Sequence, residues 1–218
     1  TLARLLDFFH PEPNTEPGIH ESATVDSRAL VDPTATIGPY CVVGARAHVG
    51  ANTRLTAYAV LEEDSSVGSH SLLGPHVVVS ARASIGSGCR LEPWCKVGEE
   101  AKLQDGVDLG AHTSIGSGAL IETGAKLDNL VIVGPRSVVG PGSILVGQSA
   151  VDRDAKLHGG VVVAGQGAVD AEAILHSGVQ IGGRSLAQGE LKEPGPYIGN
   201  PAVPLKEEMR RRARERKR

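Results

Sequence analysis

From Ile19 to Ile181 every sixth residue is Ile, Leu or Val, 28 in succession without a gap. Four residues after each, from Ala23 to Ser185, stands Ala, Ser, Thr, Cys, Gly or Val. An α-helix repeats every 3.6 residues and a strand every two, so neither fits a period of six. A coil with flat sides and tight corners does, and the hexapeptide period is the signature of a parallel β-helix. With three units to a turn, residues 18 apart stack on successive coils. The pattern predicts an all-β rod of about nine coils. Its aliphatic residues point into a triangular prism, each contributing about 1.5–3 kcal/mol of burial, and the small residues fit the cramped corners.

Composition agrees with a narrow aliphatic core: aromatic residues are only 3% of the chain, while 28 Gly and 13 Pro supply regularly spaced turns. No run approaches 18 apolar residues, so no membrane span is expected. Cys41, Cys89 and Cys95 all fall on the small-residue position. They read as buried, reduced thiols in a cytoplasmic protein rather than as disulfides. Their spacing is that of the repeat, not CxxC, so neither metal nor cofactor is called for. Residues 206–218, KEEMRRRARERKR, carry a balance of +5 within a chain of net charge −3, leaving −8 on the rest. Such a tail, with Arg210, Arg211, Arg212 and Arg214, suits an acidic partner protein. Nothing on the acidic remainder calls for nucleic acid.

The expected organisation is an N-terminal helix (LARLLDFF, 2–9) with a proline-rich linker over 1–18, then the β-helix over 19–186. An extended exit loop follows over 187–204, and a basic helical tail over 205–218 anchored by Leu205, Met209 and Ala213.

Counting in eighteens turns the fourth residue of each unit into three columns. One holds five ring side chains on five successive coils: Tyr40, Tyr58, His76, Trp94 and His112. Exposed rings in a line mark an interface, so this column is expected to meet another subunit or the N-terminal helix with Phe8 and Phe9; the alternatives are a ligand groove and a ladder that only stiffens the corner. The second column, from Arg46 through Asp64, Arg82, Glu100 and Gly118 to Arg136, Asp154 and Glu172, mostly alternates in sign and reads as a solvated edge. The third, from Asn52 and His70 through six glycines to Gly178, marks a corner that needs positive φ. His158 and His176 are one coil apart, which puts their rings some 5 Å from each other. No third metal ligand accompanies them.

Three stretches resemble one family of hexapeptide proteins, the UDP-3-O-acylglucosamine N-acyltransferases of lipid A synthesis (LpxD). ARLLDFFHPEPNTEPGIHESATVD (3–26) is similar to the junction between that family's uridine-binding domain and its β-helix. HTSIGSGALIETGAKLDNLVIVG (112–134) resembles its central coils, and EPGPYIGNPAVPLKEEMRR (193–211) its exit loop and C-terminal helix. The resemblance implies a left-handed β-helix, a homotrimer with active sites between subunits, and transfer of a hydroxyacyl chain from acyl carrier protein to the amino group of a UDP-sugar. It also implies a histidine base just after the DNLV-like segment, as amine attack on a thioester requires. In register, that histidine falls on Pro135 and the following asparagine on Arg136.

Other departures point the same way. The family's loop insertion before the central coils is missing, its acidic–Arg–Gly segment appears as Gly116, Ser117 and Gly118, and the uridine-binding domain is not in this sequence. Two readings follow. One is a divergent acyltransferase whose replacement base is His112, His76 or His158, with the basic tail docking acyl carrier protein. The other is a non-catalytic trimeric scaffold or regulator, partner of a true acyltransferase. A hexapeptide carbonic anhydrase, which needs three convergent histidines, fits the spacing poorly.

Overall fold

The computed structural model describes residues 16–215. The expected N-terminal helix, with Phe8 and Phe9, lies outside the described residues. From Gly18 to Leu191 the chain forms a succession of short strands whose second residue points inward. They assemble three parallel sheets, which become the faces of a prism of about ten turns. Face 1 begins with the strand Gly18–Ile19, face 2 with Thr24–Val25 and face 3 with Leu30–Val31. Each strand pairs with the one 18 residues on, as Ile37 with Leu55 and Ile121 with Val139. The interior is one stack of aliphatic side chains, fully buried from Ile37 onward. The first described coil is more open, with Ile19 53% exposed.

The corners share one backbone solution. Positions 2 to 5 of each unit form a β-turn, closed by bonds such as Ala35 N–H to Asp32 O at 2.9 Å. From the second coil on, the fourth residue is left-handed on all three edges: φ is +57° at Tyr40, +56° at Arg46 and +55° at Asn52. The glycine corner has the expected positive φ, +66° at Gly88 and +77° at Gly178, but the other two edges share it. Every edge has it, because the third residue of a type II turn requires it, and two edges accept bulky side chains there at about 1–2 kcal/mol each.

The turn also accounts for the prolines at position 3, including Pro39, Pro75, Pro93, Pro135 and Pro141. The N–H at that position is outside the ladder between coils. At Ala81, Ala111 and Thr123 it donates instead to side-chain oxygens of Glu62, Asn129 and Gln104. Proline loses nothing there and presets φ for the turn.

The rod ends by shortening its last coil. Ile174 pairs with Glu190 and Ile181 with Tyr197, both 16 residues on rather than 18. The exit segment is thus not simply extended: Gly195–Gly199 folds back on Ala202–Pro204 as an antiparallel pair. Tyr197, 6% exposed, takes the inward position and closes the prism. Helix α1 (Leu205–Glu215) packs on this pair.

Candidate functional site

The five rings predicted to share a corner do so, on the edge between faces 1 and 2. Centroid separations along Tyr40, Tyr58, His76, Trp94 and His112 are 5.1, 4.9, 4.0 and 6.1 Å, with planes within 11° of parallel. Tyr40, Tyr58 and Trp94 are 58%, 47% and 53% exposed. Because the rings cover one another's faces, solvent meets their rims. The widest spacing, 6.1 Å, admits no second ring between two others. The column is a surface to pack against, not a slot for a base or sugar. It continues through exposed Leu130 to Gln148, Gln166 and Arg184, where Gln166 Nε2 donates to Gln148 Oε1 at 2.9 Å and Arg184 Nε to Gln166 Oε1 at 2.7 Å. The outward residues of adjoining face 2 include Val42, Val60, Val78, Ile132, Ala150, Ala168 and Leu186.

The edge between faces 2 and 3 is sealed by its own charges. Arg46 donates twice to Asp64 at 2.7 and 2.8 Å and also to Glu63. Arg82 holds Glu100 at 3.0 Å together with Glu99, and Arg136 donates twice to Asp154 at 2.7 Å. Hydrogen bonds from Arg46 and Arg136 keep the Asp64 and Asp154 carboxyls below the usual carboxylate range. Pro135 sits in this corner. Its carbonyl accepts from Asp154 N–H at 3.0 Å, and a Cβ on Gly116 of the coil before would lie 2.5 Å from its nitrogen. Where Gly118 omits a rung, a notch of about 290 Å³ opens between Arg82, Glu99, Glu100 and Arg136.

On the third edge His158 and His176 stack at 5.0 Å. His176 Nε2 lies 2.9 Å from Glu190 Oε1, and this hydrogen bond holds the Glu190 carboxyl low. Glu190 is not visible as a partner from spacing, because the shortened last coil takes it out of the count in eighteens. His158 therefore lies on a different edge from His76 and His112, and the three candidate bases do not converge. Among the described residues no group of three His, Cys, Asp or Glu is placed to hold a metal ion.

Helix α1 departs from expectation in its anchor. Met209 is 57% exposed, whereas Glu208 is 2% exposed. Arg212 Nε donates to Glu208 Oε1 at 2.8 Å and Arg211 Nη2 lies 2.8 Å from Oε2, so the carboxyl stays low. That contact occupies two of the four arginines proposed for partner docking. Arg210 and Arg214, which line a cavity of about 520 Å³ with Val203, Glu207 and Glu215, have no ion pair among the described residues. The three thiols are buried and free, and burial pushes Cys95 up to about 11, far from a thiolate nucleophile. No helix among the described residues is long and apolar enough to cross a membrane.

Comparison with solved structures places this geometry. A UDP-N-acetylglucosamine acyltransferase of Francisella novicida is 18% identical, with 89% of this chain and 73% of that chain covered and a TM-score of 0.52. LpxA of Bacteroides fragilis, a UDP-N-acetylglucosamine acyltransferase, is 15% identical over 89% of this chain and 78% of that one, with a TM-score of 0.58. The enzyme of Campylobacter jejuni is 23% identical over 85% and 73%, with a TM-score of 0.51. The fold is theirs. It is a left-handed hexapeptide β-helix, and at these identities the likeness speaks for the fold alone. A family model described as the GMPPB C-terminal domain matches residues 18–107. No curated protein matches by sequence.

Proposed function

We propose that this chain is a homotrimeric rod of the hexapeptide acyltransferase type, similar in three stretches to the UDP-3-O-acylglucosamine N-acyltransferases, that does not perform their reaction and serves as a scaffold or partner in lipid A chemistry. The carrying observation is the corner at Pro135. Amine attack on an acyl thioester needs a group that accepts the amine's proton, and proline has none. Its neighbour Arg136 is spent on Asp154, and the next coil toward the N-terminus offers only Gly116, Ser117 and Gly118. The exposed ring column and the apolar outward residues of face 2 favour assembly of the rod with its own copies, as the resemblance implies. Arg210 and Arg214 remain for an acidic partner such as acyl carrier protein or a true acyltransferase. Reduced, buried thiols fit a cytoplasmic setting.

The test is acyl transfer from hydroxyacyl-acyl carrier protein to a UDP-acylglucosamine by the purified protein. No turnover is expected, and turnover at an enzymatic rate would overturn the reading. One observation favours the alternative of a surviving transferase: Glu190 holds the His176 imidazole in a fixed orientation, as a carboxylate orients a catalytic base. Should transfer be seen, its loss in His176→Ala but not in His112→Ala, His76→Ala or His158→Ala would assign the base there.

A further inference from the structure

We propose that copies of this chain meet through face 2 and the ring edge, in a register fixed by Glu92 of one copy and Lys96 of the next. The inference rests on the homotrimer reading above and adds the contact surface and the pair that sets its alignment.

Three observations carry it. First, the outward residues of the face 2 strands themselves, from Thr24 and Val42 to Ala168 and Leu186, include one charged side chain among the described residues, Lys96; the acidic residues beside them stand at the turns. Second, Glu92 stands exposed on the same coil, two residues before Trp94 at the ring edge. Third, neither has an ion pair among the described residues, although many charged neighbours do: Arg82 binds Glu99 and Glu100, and Lys126 binds Asp108. An ammonium left alone on an apolar surface is costly to cover unless it finds a partner. The chain itself supplies one, of opposite sign, at the same height.

A second copy is the occupant that satisfies both charges at once. Rods arranged around a symmetry axis along their length keep each coil level with its counterpart, and a head-to-tail contact of edge on face closes into a ring. Each copy then gives its Glu92 to one neighbour and its Lys96 to the other. The pair also answers a difficulty peculiar to this fold. A surface repeating every coil, about 4.8 Å, lets two rods slip by one step with little loss of apolar contact. Slippage by one coil would set Lys96 against Gly74 or Gly110 of the neighbour, and Glu92 against Val78 or Ser114. Complementary charges that specify register without adding much affinity are a familiar use of such pairs.

The test uses the full chain in sedimentation equilibrium, with Glu92→Lys, Lys96→Glu and the double exchange. Both residues are exposed, so circular dichroism is expected to match wild type in all three. Each single variant sets like charges together at every contact and is expected to raise the half-dissociation concentration at least about tenfold. The double exchange is expected to return it to within about threefold of wild type. A wild-type trimer that neither single variant weakens, or that the double exchange fails to restore, overturns this contact and leaves the homotrimer standing. A wild-type protein that sediments as one chain at every concentration overturns both.

Discussion

The ring edge and the charged edge are built from the same turn, yet one is open and the other closed. Trp94 and Arg136 occupy the same position of the repeat with φ of +67° and +57°. Along the charged edge each arginine is answered by a carboxylate on the next coil, so little of that surface needs a partner. Along the ring edge the side chains satisfy only one another's faces, and their rims, with Leu130 and the valines of face 2, stay in water. The backbone therefore decides that a side chain stands at each corner. The chemistry of the column decides whether the corner closes on itself or leaves its side chains in water. Pro135 belongs to the closed edge.

The broadest way to break this contrast is to damage what both edges share. Leu109 is 1% exposed inside the prism, and Leu109→Ala should cost about 2–5 kcal/mol in urea unfolding, wherever the edges lie. A smaller loss separates two corners. Gly116→Ala drives a Cβ to 2.5 Å from the Pro135 nitrogen and should cost about 1–3 kcal/mol. Gly106→Ala, on the glycine edge, meets nothing within 4 Å but keeps φ of +67°, so about 1 kcal/mol is expected from strain alone. Equal losses at the two glycines would show that coil stacking at Pro135 is not tight. Arg136→Gly should leave the urea midpoint close to wild type, because an exposed, solvent-screened ion pair is exchanged for relief of a left-handed side chain.

Acid gives the gentlest probe. Asp64 and Asp154 are held low by Arg46 and Arg136, so their contribution is full above the unfolded value of about 3.9 and is lost as pH falls through their lower folded values. Thermal melting followed below about pH 4 should show that loss, and it should shrink in Asp64→Asn and Asp154→Asn.

Much of this molecule is legible by counting. Ile19 to Ile181 in sixes gives the prism, and Tyr40 to His112 in eighteens gives the ring stack, because stacking in a solenoid is a property of spacing alone. What counting misses has physical causes. Tyr, Trp and Arg do not announce positive φ, so the left-handed corner was visible only where glycine repeated. Glu208 lies in a basic, solvated-looking run, yet its two arginines neutralise it well enough to be buried. Glu190 joins His176 only because the last coil is two residues short, an irregularity that periodicity cannot foresee.

The open-against-closed contrast is tested most directly by sedimentation equilibrium of wild type beside Trp94→Ala and Arg136→Ala. Wild type and Arg136→Ala should sediment as trimers of the 22.6 kDa chain, and Trp94→Ala as smaller species with an intact circular dichroism spectrum. A trimer unmoved by Trp94→Ala but broken by Arg136→Ala would mean that the charged edge, not the ring edge, is where copies meet.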